Sequence, residues 1–322
     1  MIRIENLTKE FGAKRAVDSL SFTVERGEVV GFLGPNGAGK STTMRMITGF
    51  IPPTSGRVLV GDHDVVQDPI AAKRLIGYLP ENAASYPDMT VLGFLNFAAA
   101  LRGLTGDAKK KAVHRAVEMC SLDRVLYQSI DTLSKGYRHR TCLAQSLVHD
   151  PAVLVLDEPT DGLDPNQKHE VRKLIRELGR TKAVVFSTHI LEEVDAACSR
   201  AIIIDRGRIV ANGNPEELRA LAPNAGAVTL QLGAADAEQA EQRLAGIPGV
   251  ARVERSGERI TVYPSEKRAS GELARAVAEL AGREGWALAA LRTEEGHLDE
   301  VFRSITLPDT HGSQAKPSGG AA

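Results

Sequence analysis

The chain has 322 residues and a mass of 34.5 kDa, room for one large domain and a smaller one. Apolar residues make up 43% and charged residues 25%, an ordinary globular mix that excludes a mainly disordered chain. The 40 basic residues face 41 acidic ones and aromatics are only 4%, which leaves neither a global basic field nor an aromatic platform for nucleic acid.

The opening residues Met1 to Glu5 lack the apolar core of a signal peptide. No apolar run approaches the roughly 18 residues that cross a bilayer, so work at a membrane would need a span from another chain. Residues 2–30 alternate apolar and polar positions around Gly12 and Gly27 and predict strands of an antiparallel sheet. Residues 29–33 are a short apolar run, the pattern of a strand buried on both faces. A glycine-rich turn and a helix over 41–50 follow. Pro52, Pro53 and Gly56 then end the helix and open a hairpin strand at 57–60.

Residues 88–150 change character. Helical periodicity over 90–101, 109–120 and 137–149, with no strand between, predicts a helical insertion. Strands at 153–156, 183–187 and 201–204 then alternate with helices at 166–178 and 191–198, which argues a mostly parallel sheet with helical crossovers. Residues 220–226 read as a linker. Beyond them a βαββαβ order over 228–305 predicts a small α+β ferredoxin-like unit. The tail, 309–322, is rich in Gly, Ser and Ala with almost no apolar bulk and reads as disordered. Cys120, Cys142 and Cys198 form no CxxC pair and read as buried or idle thiols, which fits a reducing compartment.

Two motifs carry chemistry. Gly34-Pro35-Asn36-Gly37-Ala38-Gly39-Lys40-Ser41 fits the phosphate-loop pattern between a strand and a helix. Its glycines let backbone N–H groups converge on phosphate oxygens, and the helix adds the positive end of its dipole. Lys40 is placed to reach the β- and γ-phosphates, and the Ser41 hydroxyl to ligate Mg²⁺. The second motif is an apolar strand ending in Asp157-Glu158. Asp157 suits the metal, and Glu158 suits the base that polarises the attacking water.

These residues resemble a known family, the ATP-binding cassette (ABC) ATPases that drive ABC transporters. Leu133-Ser134-Lys135-Gly136-Tyr137 stands where the family has its LSGGQ signature, just before the Asp157 strand. Asp161-Gly162-Leu163-Asp164-Pro165 is similar to the D-loop, Ser187-Thr188-His189 to the switch-histidine segment, and Phe11 to the aromatic that stacks on adenine. The order and spacing agree over residues 1–220. The resemblance implies a mixed sheet core, an antiparallel β subdomain and a helical insertion in an α/β domain of about 1–220. An accessory α+β domain would follow at 221–308.

The resemblance further implies ATP and Mg²⁺ as ligands. Phe11, residues 34–41 and Thr42 would hold the nucleotide; Ser41, Asp157 and Glu81 would face the metal. Lys40, Glu158 and His189 would serve hydrolysis, with His189 a phosphate contact and water positioner. Ser134 and Gly136 would meet ATP held by a second subunit, so the working form would be a head-to-tail homodimer. Partners would be integral-membrane permease subunits, with no nucleic acid, and the location peripheral on the cytoplasmic face of the membrane.

Three positions depart from the commonest family pattern. Lys135 replaces the first signature glycine, Tyr137 the signature glutamine, and Glu81 the Q-loop glutamine. The variants are similar to those of exporter-type cassettes, including the drug-efflux and gliding-motility groups. In the family the segment that here includes Tyr86 and Pro87 receives a helix of the membrane subunit; a plain surface loop is the alternative. The competing functions are a soluble ABC ATPase acting on nucleic acid or ribosomes, and a nucleotide-gated module without turnover. A single P-loop, a span of 117 residues from Lys40 to Asp157 and near-neutral charge disfavour the first. Intact Glu158 and His189 disfavour the second.

Overall fold

The structure is a computed structural model that describes residues 1–82, 85–265 and 270–306. The tail expected to be disordered, 309–322, lies outside the described residues. Two compact units divide at Pro215/Glu216.

The first unit opens with β1 (Ile2–Phe11) and β2 (Lys14–Val24), an antiparallel pair. Val17, Leu20, Phe22 and Val24 of β2 are buried while their neighbours face out. Ser19, at φ 54°, lies at one of three register shifts between them, opposite Leu7–Lys9. Next come β3 (Val29–Leu33), α1 (Lys40–Ile47), β4 (Ser55–Val60) and β5 (His63–Asp64). Strands β2-β1-β4-β5 form one sheet in that order. Then α2 (Pro69–Leu75) leads into β6 (Ile76–Leu79), which the sequence pattern did not announce because four residues are too few to show a period.

The insertion contains α3 (Val91–Leu101), α4 (Gly106–Met119) and α5 (Lys135–Leu147), with two short 3₁₀ turns before α5. The remaining elements of the unit are β7 (Val153–Asp157), α6 (Pro165–Gly179), β8 (Ala183–Thr188), α7 (Leu191–Ala197), β9 (Arg200–Asp205) and β10 (Arg208–Gly213). The second sheet runs β10-β9-β3-β8-β7-β6, parallel throughout except for the β10–β9 hairpin.

This sheet is buried on both faces, which explains its apolar runs. Val30, Phe32, Val153, Val155 and Val185 pack towards the antiparallel sheet and α1. Leu154, Leu156, Val184 and Phe186 point the other way, into a core shared with the helical insertion and α6. Period-two alternation therefore splits each strand between two cores.

The second unit begins with the short helix α8 (Pro215–Arg219), whose first residue falls on the boundary. Residues 220–226, read from sequence as a linker, instead pack inside this unit. Ala222 and Ala225 are buried, and Gly226 N–H donates to the Glu294 carbonyl at 2.8 Å. Small residues and a proline resemble a linker in composition, but here alanine allows close packing against Gly296.

Then follow β11 (Val228–Leu232), α9 (Ala234–Ala245), β12 (Val250–Ser256), β13 (Arg259–Pro264), α10 (Ser270–Glu284), β14 (Leu288–Thr293) and α11 (Leu298–Ile305). The sheet order is β12-β13-β11-β14, antiparallel at every pairing. Val228, Leu230, Ile260 and Val262 pack beneath Ala237, Leu244, Leu273 and Val277 of the two long helices, and Trp286 flanks that core.

Candidate nucleotide site

The parallel register fixes the site. Leu33 lies beside Thr188, and Asp157 beside Ser187, so the C-terminal ends of β3, β7 and β8 are level. The loops leaving those ends carry the phosphate loop, the Asp157–Glu158 pair and His189. Open α/β sheets place ligands at this edge because all the parallel strands deliver their loops there.

The turn from β3 to α1 is tight. Gly39 has φ +108°, a region closed to other residues, and caps α1 so that Lys40 is its first residue. A Cβ on Gly34 would lie 2.5 Å from the Ile204 carbonyl. Lys40 is buried, and its Nζ donates to the carbonyls of Gly34 at 2.7 Å and Pro35 at 3.2 Å. It also lies 3.7 Å from Glu158 Oε1. Burial pushes the Lys40 ammonium below its ordinary pKa, while Glu158, Asp157 and Glu81 pull it back up.

A cavity of about 330 Å³ brings together Phe11, Asn36, Gly37, Gly39, Lys40, Ser41, Thr42, Glu81 and Glu158. Phe11 is half exposed at the end of β1, with Lys9 Nζ 5.2 Å from its ring centre, so it is not a core aromatic. Gly34, Pro35 and Ala38 shape the loop behind this wall rather than lining it.

Asp157 is buried. Its Oδ1 accepts from Ser41 Oγ at 3.1 Å and from Ser187 Oγ at 2.5 Å, while Oδ2 is buried with no hydrogen-bond partner. A buried carboxylate oxygen without a donor beside a hydroxyl is a set of hard oxygens, and it fits Mg²⁺. Desolvation, and then the Asp157 charge, push the neighbouring Tyr78 phenol up to about 12.

Glu158 is held in an unusual way. Its φ is +52°, left-handed backbone that costs a glutamate about 1–2 kcal/mol. Two contacts fix it there. Its N–H donates to Ser187 Oγ at 2.9 Å, and its Oε2 lies 2.7 Å from His189 Nδ1. Glu158 thereby joins Lys40 on the cavity wall.

The signature residues are not part of that wall. Leu133 is buried, and Ser134 caps α5 by accepting from Tyr137 N–H at 3.4 Å. The Lys135 side chain lies over Gly162 and its ammonium sits 3.4 Å from Asp161, while Gly136 faces the Gln167 side chain. Asp164 caps α6 by accepting from Gln167 N–H at 2.9 Å, with Pro165 as the first helical residue. The segment expected to meet a membrane subunit is described in part. Tyr86 is exposed and meets the ring of Phe97 edge-on at 5.5 Å; Ala83 and Ala84 lie outside the described residues.

Two site residues, Thr160 and Glu193, were not singled out by sequence reasoning, and Ser187 was named only within the histidine segment, without its contacts to Glu158 N–H and Asp157. Glu193 sits in the first turn of α7, where an acidic residue usually faces water and favours the helix dipole. Here it is buried and accepts from the Thr160 and Thr188 hydroxyls. Only the adjacency of the two loops makes that visible.

A phosphate loop, a strand-end Asp-Glu pair and a facing histidine at one edge of a doubly covered parallel sheet define a P-loop ATPase. The comparisons narrow this. The family model for the ABC transporter ATPase domain, described as "ABC transporter", matches residues 17–161. The linearmycin resistance ATP-binding protein of Bacillus subtilis is 38% identical over 220 residues, covering 68% of this chain and 70% of the relative. The Nod factor export ATP-binding protein I of Ralstonia nicotianae is 35% identical over 264 residues, covering 82% of this chain and 81% of the relative. A solved ATP-binding subunit of an ABC transporter superposes with TM-score 0.63 at 28% identity, over 68% of this chain and 92% of that one. The chain belongs to the ABC transporter ATP-binding proteins: it is an ABC ATPase whose nucleotide is ATP. Among the described residues no helix is long and apolar enough to cross a membrane.

Proposed function

We propose that the chain is the ATP-hydrolysing subunit of an ABC exporter, working as a homodimer with separate permease chains at the cytoplasmic face of the membrane. The observation that carries the reading is Glu158 on the wall of the phosphate-loop cavity, its carboxylate 2.7 Å from His189 behind it, with the signature residues outside that cavity. One subunit thus holds a phosphate cradle and a base. The Ser134 helix end is left for a second subunit, as the family's head-to-tail pairing requires. Relatives named for linearmycin resistance and Nod factor export support export over import.

In the proposed step, water attacks the γ-phosphorus of ATP. The new O–P bond forms as the bridging β–γ P–O bond breaks, and its electron pair leaves on ADP. Glu158 accepts the proton of the water, and the Nδ1–H of His189 holds that carboxylate in line. Lys40 stabilises charge on the β- and γ-oxygens after exchanging its loop carbonyls for phosphate. The residues that would hold Mg²⁺ are Ser41 and Asp157, and bound there it neutralises charge between the phosphates. Phe11 would stack on the base, and the exposed Tyr86 surface would take the permease contact.

Glu158→Gln keeps the shape but removes the base. Purified with ATP and Mg²⁺, it should run at twice the 34.5 kDa chain mass and hydrolyse about 10²–10⁴-fold more slowly than the wild type. Tagged in its native cells and extracted from membranes in mild detergent, it should bring down a polytopic membrane protein at near-equal amount. Recovery with ribosomes or DNA instead would overturn the exporter reading.

A further inference from the structure

Glu193 is 1% exposed, Thr160 2% and Thr188 1%. Glu193 Oε2 accepts from Thr188 Oγ1 at 2.6 Å, and Oε1 accepts from Thr160 Oγ1. Thr188 Oγ1 in turn accepts from Ile190 N–H at 2.9 Å. Removing a carboxylate from water onto two threonine hydroxyls is costly, and α7 offers a solvent-facing position one residue away at Glu192. Packing would be served equally by leucine. The two hydroxyls come from the two loops that matter: Thr160 is two residues beyond Glu158, and Thr188 directly precedes His189. Glu158 is also held in left-handed backbone, which persists only where surrounding contacts fix it.

We propose that Glu193 is a positioning residue for ATP hydrolysis: its buried carboxylate ties the loop after Glu158 to the strand end before His189 and so sets the Glu158–His189 contact. It rests on the ATPase reading above, and it acts through Glu158 and His189 without touching nucleotide. Both hydroxyls donate to a single acceptor group, so a shift of either loop breaks a bond to the same carboxylate. The phosphate loop hangs from β3 and α1 and shares none of these contacts. Nucleotide affinity and hydrolysis are therefore separable.

The test uses the whole chain as Glu193→Ala, Glu193→Gln and Thr160→Val, each alone and combined with His189→Ala. Wild type and variants are compared in kcat and KM for ATP·Mg²⁺ and in melting temperature. The ring ¹⁵N resonances of His189, identified by their loss in His189→Ala, give a readout free of turnover. The expected result is a kcat about tenfold or more lower in Glu193→Ala with KM within about twofold, and about threefold lower in Thr160→Val. Glu193→Gln keeps one acceptor oxygen and should recover most of the rate. In the His189→Ala background Glu193→Ala should cost little more, because the contact it sets is already gone. The Nδ1–H signature of His189 should shift in Glu193→Ala.

A full multiplicative loss in the His189→Ala background, a raised KM at unchanged kcat, or an unmoved His189 signature would each overturn the proposal. If Glu193→Ala does not fold, Thr160→Val, alone and with His189→Ala, carries the same comparison through its smaller loss in kcat and its His189 resonances. A wild type without ATP turnover would sink the ATPase reading instead, and the His189 resonances would still decide whether Glu193 sets the contact.

Discussion

Lys40 and Glu158 show how far one side chain depends on the backbone beneath it. Lys40 is aimed by a loop packed tightly at Gly34, where a methyl group would meet the Ile204 carbonyl, a backbone atom that cannot swing away. Gly34→Ala should therefore cost at least about 2 kcal/mol in urea unfolding and abolish detectable ATP binding by the whole chain. Ala38→Gly, in the same loop, should leave binding measurable. Glu158 depends on a different device, a strained backbone locked by Ser187 and His189. Ser187→Ala removes the acceptor of Glu158 N–H and a donor to Asp157. It should lower kcat about tenfold or more while the chain still binds nucleotide, as a filter-binding assay would show.

At the scale of elements, helix ends and buried polar groups decide more than apolar faces. Asp164, which the family resemblance places in the D-loop, is the N-cap of α6 and so has a structural role. Asp164→Ala should cost about 1 kcal/mol and Asp164→Asn only a few tenths, measured by urea midpoint. The insertion contains a pH-sensitive joint where α5 meets β6. His149 Nε2 lies 3.0 Å from the Ile76 carbonyl, and burial, reinforced by Arg102, pushes the ring down to about 4. The unfolded chain takes up that proton near 6.5, so the folded state binds it less readily. Stability from the neutral ring is complete above the unfolded pKa and drains away as pH falls from about 6.5 towards about 4. From about pH 7.5 to about pH 5 the wild type should lose up to about 2 kcal/mol more than His149→Gln in urea unfolding. Equal losses in the two proteins would place the acid sensitivity elsewhere.

At the scale of the whole molecule, the chain has two units with separate cores, one continuous with the nucleotide site and one not. Calorimetry should resolve two transitions. ATP with Mg²⁺ should raise only the one belonging to residues 1–215, by about 2.7 kcal/mol at a hundredfold excess over Kd. A single transition that moves as a whole would mean that the units unfold together. The three cysteines lie in or against the first unit's core shared by the helical insertion and α6 and report on its integrity. Burial pushes the thiols of Cys120 to about 12 and Cys142 to about 11, so neither should be alkylated at neutral pH until that unit opens.

The family, the sheet's apolar strands and the strand, glycine turn and helix over 29–50 were legible in the amino-acid order, because these are local. A glycine turn, a period of two and a strand-end carboxylate each need only a few adjacent residues. That order could not reveal β6, too short for a period, nor that residues 220–226 pack rather than link. Nor could it show Glu193 as anything but a solvent-facing helix acid. Those depend on contacts between segments about 30 residues apart or more, such as Thr160 with Glu193, which arise only when β7 and β8 align in register. The tertiary structure alone decided which carboxylates face the cavity, which is strained, and which clamps the loops together, because burial and distance are properties of the packed chain.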